Sequence, residues 1–317
     1  MNYIELKHGK YQAHILPELG GNIVYLYDSE QKRELLIGTH SLDELKSSPY
    51  VYGMPLLLPP NRIEDGKFRY DGREYQFPVN EKERNNHLHG LFIFSDYQVK
   101  SEIHSEEKAE LILEYQFDEK DENFTYFPHK MKLQKAYCLD ATGLNLTFTV
   151  ENQSEKTIPM MFAFHTTFPL MNDPAENEKM KIRMSVNARV RLNERLLGTE
   201  DYIPMDKIAN VAAAEGFSPL EEDMDNVFRM KTFGFRGALL AYPKYNGLTV
   251  YEVDDLFRYM VVWNNGQKGD KICIEPQTYK NNGINLPSWE KDGLHLKSGE
   301  TLQAKMRISS LPLDKTV

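Results

Sequence analysis

Cysteine is nearly absent: Cys138 and Cys273 are the two in 317 residues. So few, with neither in a Cys-x-x-Cys pair, exclude a disulfide framework and a cysteine-rich zinc knuckle. Both lie in apolar strand-like runs and are expected to be buried, reduced thiols. Long hydrophobic runs are missing too. No window approaches the roughly 18 apolar residues of a membrane span. Met1–Lys7 has no apolar core of the kind a secretory signal carries, so the cytoplasm is the expected compartment. Positive charge is in deficit, with 38 Lys and Arg against 47 Asp and Glu and a net charge of −9. No basic block offsets it, which argues against nucleic acid or an anionic membrane as partner. Gly-x-Gly-x-x-Gly, the P-loop, Gly-x-Ser-x-Gly and His-Glu-x-x-His are all absent, leaving nucleotide cofactors, serine nucleophiles and common zinc chemistry without support.

What the chain does contain is alternation. Its 41% hydrophobic and 27% charged residues suit a globular protein with a large core. Four successive runs, 97–103, 109–117, 130–137 and 144–152, alternate apolar and polar side chains with period two. Such runs have one dry and one wet face, the pattern of an antiparallel meander. Further strands are read at 11–16, 23–27, 34–37, 181–186, 188–192, 238–242, 248–253, 259–263, 271–275 and 304–308. Asp65-Gly66 and Asp71-Gly72 bracket a short hairpin, since this dipeptide favours turns with positive φ. Residues 41–47 predict one helical turn capped by Ser41, and 206–223 reads as loop with a helical turn. No long amphipathic helix, linker or repeat interrupts the pattern. The chain therefore predicts an all-β fold, a large antiparallel β-sandwich over residues 1–317 as one domain.

Candidate chemistry is sparse. His87 and His89, two apart, would share a strand face as metal ligands do. No cysteine or carboxylate stands nearby, and no metal is expected there. His165 sits inside the apolar run Met160–Leu170, as a satisfied core histidine or a functional one. Glu275 ends the run Lys271–Ile274 ahead of Pro276, where partial desolvation would raise its pKa and suit a general base. Asp225 is a turn aspartate or a ligand-binding one. Phe164, Phe168, Tyr279 and Trp263 could stack on a flat ligand, though each suits the core.

Taken together, these residues resemble the aldose 1-epimerase (galactose mutarotase) family along nearly the whole chain. The likeness is carried by Asn61-Arg62-Ile63 with Asp65-Gly66-Lys67-Phe68, by Asn86-His87-Leu88-His89-Gly90, by the segment holding His165 and Phe168, by Asp225-Asn226-Val227-Phe228, and by Glu275-Pro276-Gln277-Thr278. The resemblance implies a galactose mutarotase-like supersandwich with an open cleft. It implies that Glu275 is the general base on the anomeric hydroxyl, His165 the general acid on the ring oxygen, and His89 an assisting hydrogen-bond donor. Arg62 and Asp225, with Asn61 beside them, would bind sugar hydroxyls. Neither cofactor nor metal is implied, the partner is a small-molecule sugar, and monomer and homodimer both stay open.

The likeness has departures. Leu91 follows Gly90 where a second glycine is common. Thr166-Thr167-Phe168-Pro169-Leu170 follows His165 where Tyr-Phe-Asn-Leu is common, and Asn226-Val227-Phe228 stands for His-Asn-Phe. These mark a divergent bacterial-type branch and bear on substrate more than on reaction. Two alternatives to a free aldohexose mutarotase remain. One is an epimerase of a phosphorylated hexose, for which Arg73, Lys82 and Arg84 are the nearest phosphate-binding candidates. The other is a non-catalytic sugar-binding protein of the same fold.

Overall fold

The computed structural model describes residues 2–39, 41–204, 212–266 and 269–313. Two eight-stranded sheets dominate. The first begins with the meander Gln98–His104, Lys108–Phe117, Met131–Asp140 and Gly143–Asn152. It continues through Thr301–Pro312, Gly247–Val253, Gly237–Tyr242 and Lys181–Met184. The second runs Gly198–Ile203, Val186–Leu192, Asp225–Met230, Tyr259–Asn264, Lys271–Gln277, Ala163–Phe164 and Leu56–Leu57, with Thr166–Pro169 also pairing Lys271–Gln277. A four-stranded sheet of residues 4–36 joins them. Among the described residues all strand pairings are antiparallel, in keeping with the alternation; one isolated parallel bridge, Leu58 to Gly90, stands outside the strands.

Alternation decides which side chains form the core. In Met131–Asp140, Met131, Leu133, Lys135, Tyr137 and Leu139 are buried while the residues between them are half-exposed. Phe148 of the first sheet meets Phe162 and Phe164 at 5.1 and 5.6 Å between ring centroids, and Tyr251 meets Phe168 at 5.6 Å. Aromatic edge contacts of this kind join the two sheets across the core. Lys135 is an inward-facing cation in that core. Its ammonium donates to the Gly20 carbonyl at 2.7 Å beside the rings of Tyr97 and Phe164, and burial lowers its pKa to about 7.

Several expectations need adjusting. Cys273 is buried, but Cys138 is half-exposed, because the meander's alternation turns it outward. The strand holding Glu275 does not end there but runs to Gln277, because Gln277 pairs with Tyr259 on one side and Ala163 on the other. His87 and His89 do not share a strand face. The strand Asn86–Leu88 stops before His89, which sits at φ 67. The ring of His87 instead packs edge-on against Phe77 at 5.0 Å and its Nδ1 meets the Pro78 carbonyl at 2.8 Å. The helix Leu42–Ser47 forms with the Ser41 side chain accepting from the Glu44 amide, and Lys67–Tyr70 pairs Arg73–Gln76 through positive-φ Asp71 and Gly72. Of the loop read at 206–223, residues 206–211 lie outside the described part. Among the described residues no helix is long and apolar enough to cross a membrane.

Candidate active site

The central strands of the second sheet, Tyr259–Asn264 and Lys271–Gln277, are buried on both faces, and this creates the site. Phe164, Thr166 and Phe168 point into the core, where Thr166 Oγ1 meets the Tyr251 hydroxyl at 2.7 Å. Period-two alternation sends Ala163, His165 and Thr167 to the opposite face. The register pairs Ala163 with Gln277 and Thr166 with Ile274, so His165 stands across from Glu275. Glu275 is in turn paired with Val261, Cys273 with Trp263, and Trp263 with Asp225. One face of three neighbouring strands, with His165 beside them, therefore carries Asp225, Trp263, Val261, Cys273, Glu275 and His165.

The two segments that flank the hairpin close the other side. Arg62–Glu64 pairs Asn86–Leu88, and the His89 amide donates to the Asn61 carbonyl at 3.0 Å. Asn61, Asp65 and His89 all adopt positive φ, at 55°, 54° and 67°. Asn, Asp and His are the non-glycine residues that enter that region most readily. Gly90 is required by close approach: a Cβ there would lie 2.3 Å from the Leu58 carbonyl oxygen. This turn aims the His89 ring at His165, 5.2 Å away and perpendicular to it.

These walls enclose a cleft of about 220 Å³. The six residues to which the family resemblance gave a catalytic or sugar-binding role all line it: Asn61, Arg62, His89, His165, Asp225 and Glu275. His165 Nε2 lies 3.2 Å from Glu275 Oε1. Both side chains are buried, and Glu275 Oε2 and His165 Nδ1 have no hydrogen-bond partner. Burial, reinforced by the Asp225 charge and partly opposed by Arg62, pushes the Glu275 carboxyl up to about 8. Burial likewise lowers His165 to about 4. His89 is held well below its ordinary value, by burial first and then by His165 and Arg62. At neutral pH the Glu275–His165 pair thus holds one proton and no net charge, which a low-dielectric pocket favours.

Arg62 is already engaged. Its Nε–H donates to both oxygens of buried Glu81 at 3.0 Å, and its two terminal nitrogens donate to Asp225 Oδ2 at 3.3 Å. Arg84 and Asn86 also donate to Glu81. Sequence reasoning missed Glu81, because nothing in the exposed-looking run Glu81-Lys82-Glu83-Arg84 singles out one carboxylate. It also missed Tyr50, whose ring lies 4.5 Å from His89 in an irregular loop without periodic signal. Of the four aromatics weighed as stacking surfaces, Phe164, Phe168 and Tyr279 are core residues, and Trp263 alone lines the cleft. Among the candidate phosphate ligands, Arg73 lines a separate cavity with Tyr75 and His129, and Arg84 is paired with Glu81 and Glu83.

Comparison with known proteins gives the family and the fold. The sequence model of the aldose 1-epimerase family matches residues 2–309, and the chain belongs to that family. A galactose mutarotase-like protein of Clostridium acetobutylicum superposes with a TM-score of 0.93 at 27% identity, covering 98% of this chain and 95% of that one. A putative aldose 1-epimerase of Escherichia coli K12 (TM-score 0.79, 20% identity, 98% and 99% coverage) and a galactose 1-epimerase of Lactobacillus acidophilus NCFM (0.73, 16%, 98% of each) share the fold. An uncharacterised protein of Escherichia coli K12, YihR, is 28% identical over 132 residues, 41% of this chain and 39% of that protein.

Proposed function

We propose that this protein is a mutarotase that interconverts the α and β anomers of a free, uncharged aldohexose such as glucose or galactose. The observation that carries the reading is the buried Glu275–His165 pair at 3.2 Å, facing a cleft built from Asn61, Arg62, His89 and Asp225. Mutarotation takes a proton from the anomeric hydroxyl and delivers one to the ring oxygen. The ring opens to the aldehyde, the C1–C2 bond rotates, and reclosure reverses both transfers. A pair that shares one proton can accept one and donate one without ever leaving a charge unbalanced. Proton transfer across the contact gives a Glu275 carboxylate and a His165 imidazolium, and in that form Glu275 is the base and His165 the acid. His89 donates toward the ring oxygen, while Asp225 accepts from sugar hydroxyls and Arg62, steadied by Glu81, donates to them.

The same geometry favours a neutral sugar over a phosphorylated one. Among the described residues, the cleft's cation is Arg62, and it is committed to two carboxylates. A phosphate dianion would meet Asp225 without a free positive partner. The test is polarimetry on freshly dissolved α-D-glucose, α-D-galactose and α-D-glucose 6-phosphate, with wild type and Glu275→Gln. Faster decay on a free sugar with the wild type alone is the expected result. Acceleration confined to the phosphate ester, or equal acceleration by the variant, overturns the reading.

A further inference from the structure

We infer that the floor of this cleft is also a binding site for a thiophilic divalent cation such as Zn²⁺, held by His165, Cys273 and Glu275, and that the ion acts as an inhibitor. One ligand atom from each of these residues lies within 4.8 Å of the others, and all three side chains are buried. Cys273 and Glu275 are two apart in one strand, so they share the face that His165 opposes. Tetrahedral zinc with bond lengths of roughly 2.0–2.3 Å places its ligand atoms roughly 3.5 Å apart. His165 Nε2 and Glu275 Oε1 already stand at 3.2 Å, so small rotations of the side chains suffice.

Two further features point to an ion. Glu275 Oε2 is buried without a partner, leaving an oxygen able to bind metal without giving up an existing contact. The thiol of Cys273 has a single weak contact, Thr167 Oγ1 at 3.4 Å. Charge also selects the class of ion. A thiolate, a carboxylate and a neutral imidazole carry two negative charges, and only a dication leaves a neutral complex in this buried setting. The sulfur ligand favours zinc-like ions over Mg²⁺ or Ca²⁺, which prefer several oxygens. His165 and Glu275 line the cleft, so the site borders it. An ion here occupies the carboxylate and imidazole together, so it excludes proton transfer. That consequence rests on the mutarotase reading, whereas the binding itself does not.

The test uses Co²⁺ as a spectroscopic stand-in at pH 8, where the ligands can release their protons to the metal. Wild type should show a near-ultraviolet sulfur-to-cobalt band. The band should persist in Cys138→Ser, vanish in Cys273→Ser, and give way when Zn²⁺ is added. No band, or a band that follows Cys138 instead, overturns the site. If Cys273→Ser does not fold, Glu275→Gln decides against the wild type: a weakened or shifted band places the ion at this carboxylate, and an unchanged band overturns the proposal. Zn²⁺ should slow mutarotation at least tenfold, relieved by a chelator. Undiminished mutarotation with the band present removes the inhibitory role, and absence of any mutarotation with the band present removes the enzyme reading while leaving the metal site intact.

Discussion

Glu81 receives the Nε–H of Arg62 on both its carboxylate oxygens, at 3.0 Å each, and both residues are buried. The far side of the same guanidinium reaches Asp225, so one buried ion pair holds a residue of the cleft wall in place. Removing Glu81 leaves the buried guanidinium with the more exposed Asp225 as its remaining counter-charge. Glu81→Ala should cost about 3–5 kcal/mol in a denaturant titration. Glu81→Gln should cost less and, through a loosened Asp225, raise KM for the sugar more than it lowers kcat. A kcat loss with KM unchanged would show that Glu81 does not act through Arg62 and Asp225.

Glu275→Gln keeps the shape of the side chain and removes its proton chemistry. Turnover should fall by roughly 10²–10⁴-fold, the usual share of a positioned acid or base. Sugar affinity, read by equilibrium titration, should stay close to wild type. Near-normal turnover would take Glu275 out of the mechanism.

The pH–rate profile should be a bell. The pair works while it holds one proton, which it does between the His165 value of about 4 and the Glu275 value of about 8. These limbs belong to the pair as a unit rather than to either residue. A profile flat from pH 5 to 10 contradicts the assignment.

Stability should carry the opposite signature of Glu275. Its folded-state pKa lies above the unfolded one of about 4.3, so the folded protein binds that proton more tightly. The resulting stabilisation is fully present below pH 4 and is lost as pH rises through about 8. Denaturant midpoints for Glu275→Gln should therefore gain on wild type between pH 6 and 9. A constant difference across that range would show that the carboxyl is not perturbed in the folded state.

The two tryptophans separate cleanly as reporters. Trp263 lines the cleft, while Trp289 is buried against Tyr279 and His295. Sugar titration should change the intrinsic fluorescence of wild type and of Trp289→Phe, and leave Trp263→Phe unchanged. A response that follows Trp289 would move the binding surface away from this cleft.

Much of this was legible in the chain. Period-two alternation fixed the meander strands at 97–152 to within a few residues, because a strand with one dry face has to alternate. Asp71-Gly72 announced its hairpin, and Ser41 its helix, since both are local backbone requirements. His165 and Glu275 stood out as polar residues in apolar runs, whereas Asp225 was singled out by the family likeness rather than by its neighbours. Other features depended on contacts between distant segments. Glu81, Tyr50 and Cys273 carry no local mark: Glu81 becomes a site residue only when Arg62 folds onto it, and Cys273 only when the register sets it beside Glu275 and His165. The sequence by itself determined which residues alternate, turn and stay polar, because those preferences act within a few residues. The tertiary structure decided which of them meet, how deeply Glu275 and His165 are desolvated, and hence where the shared proton rests, because burial and register arise only when the sheets close on one another.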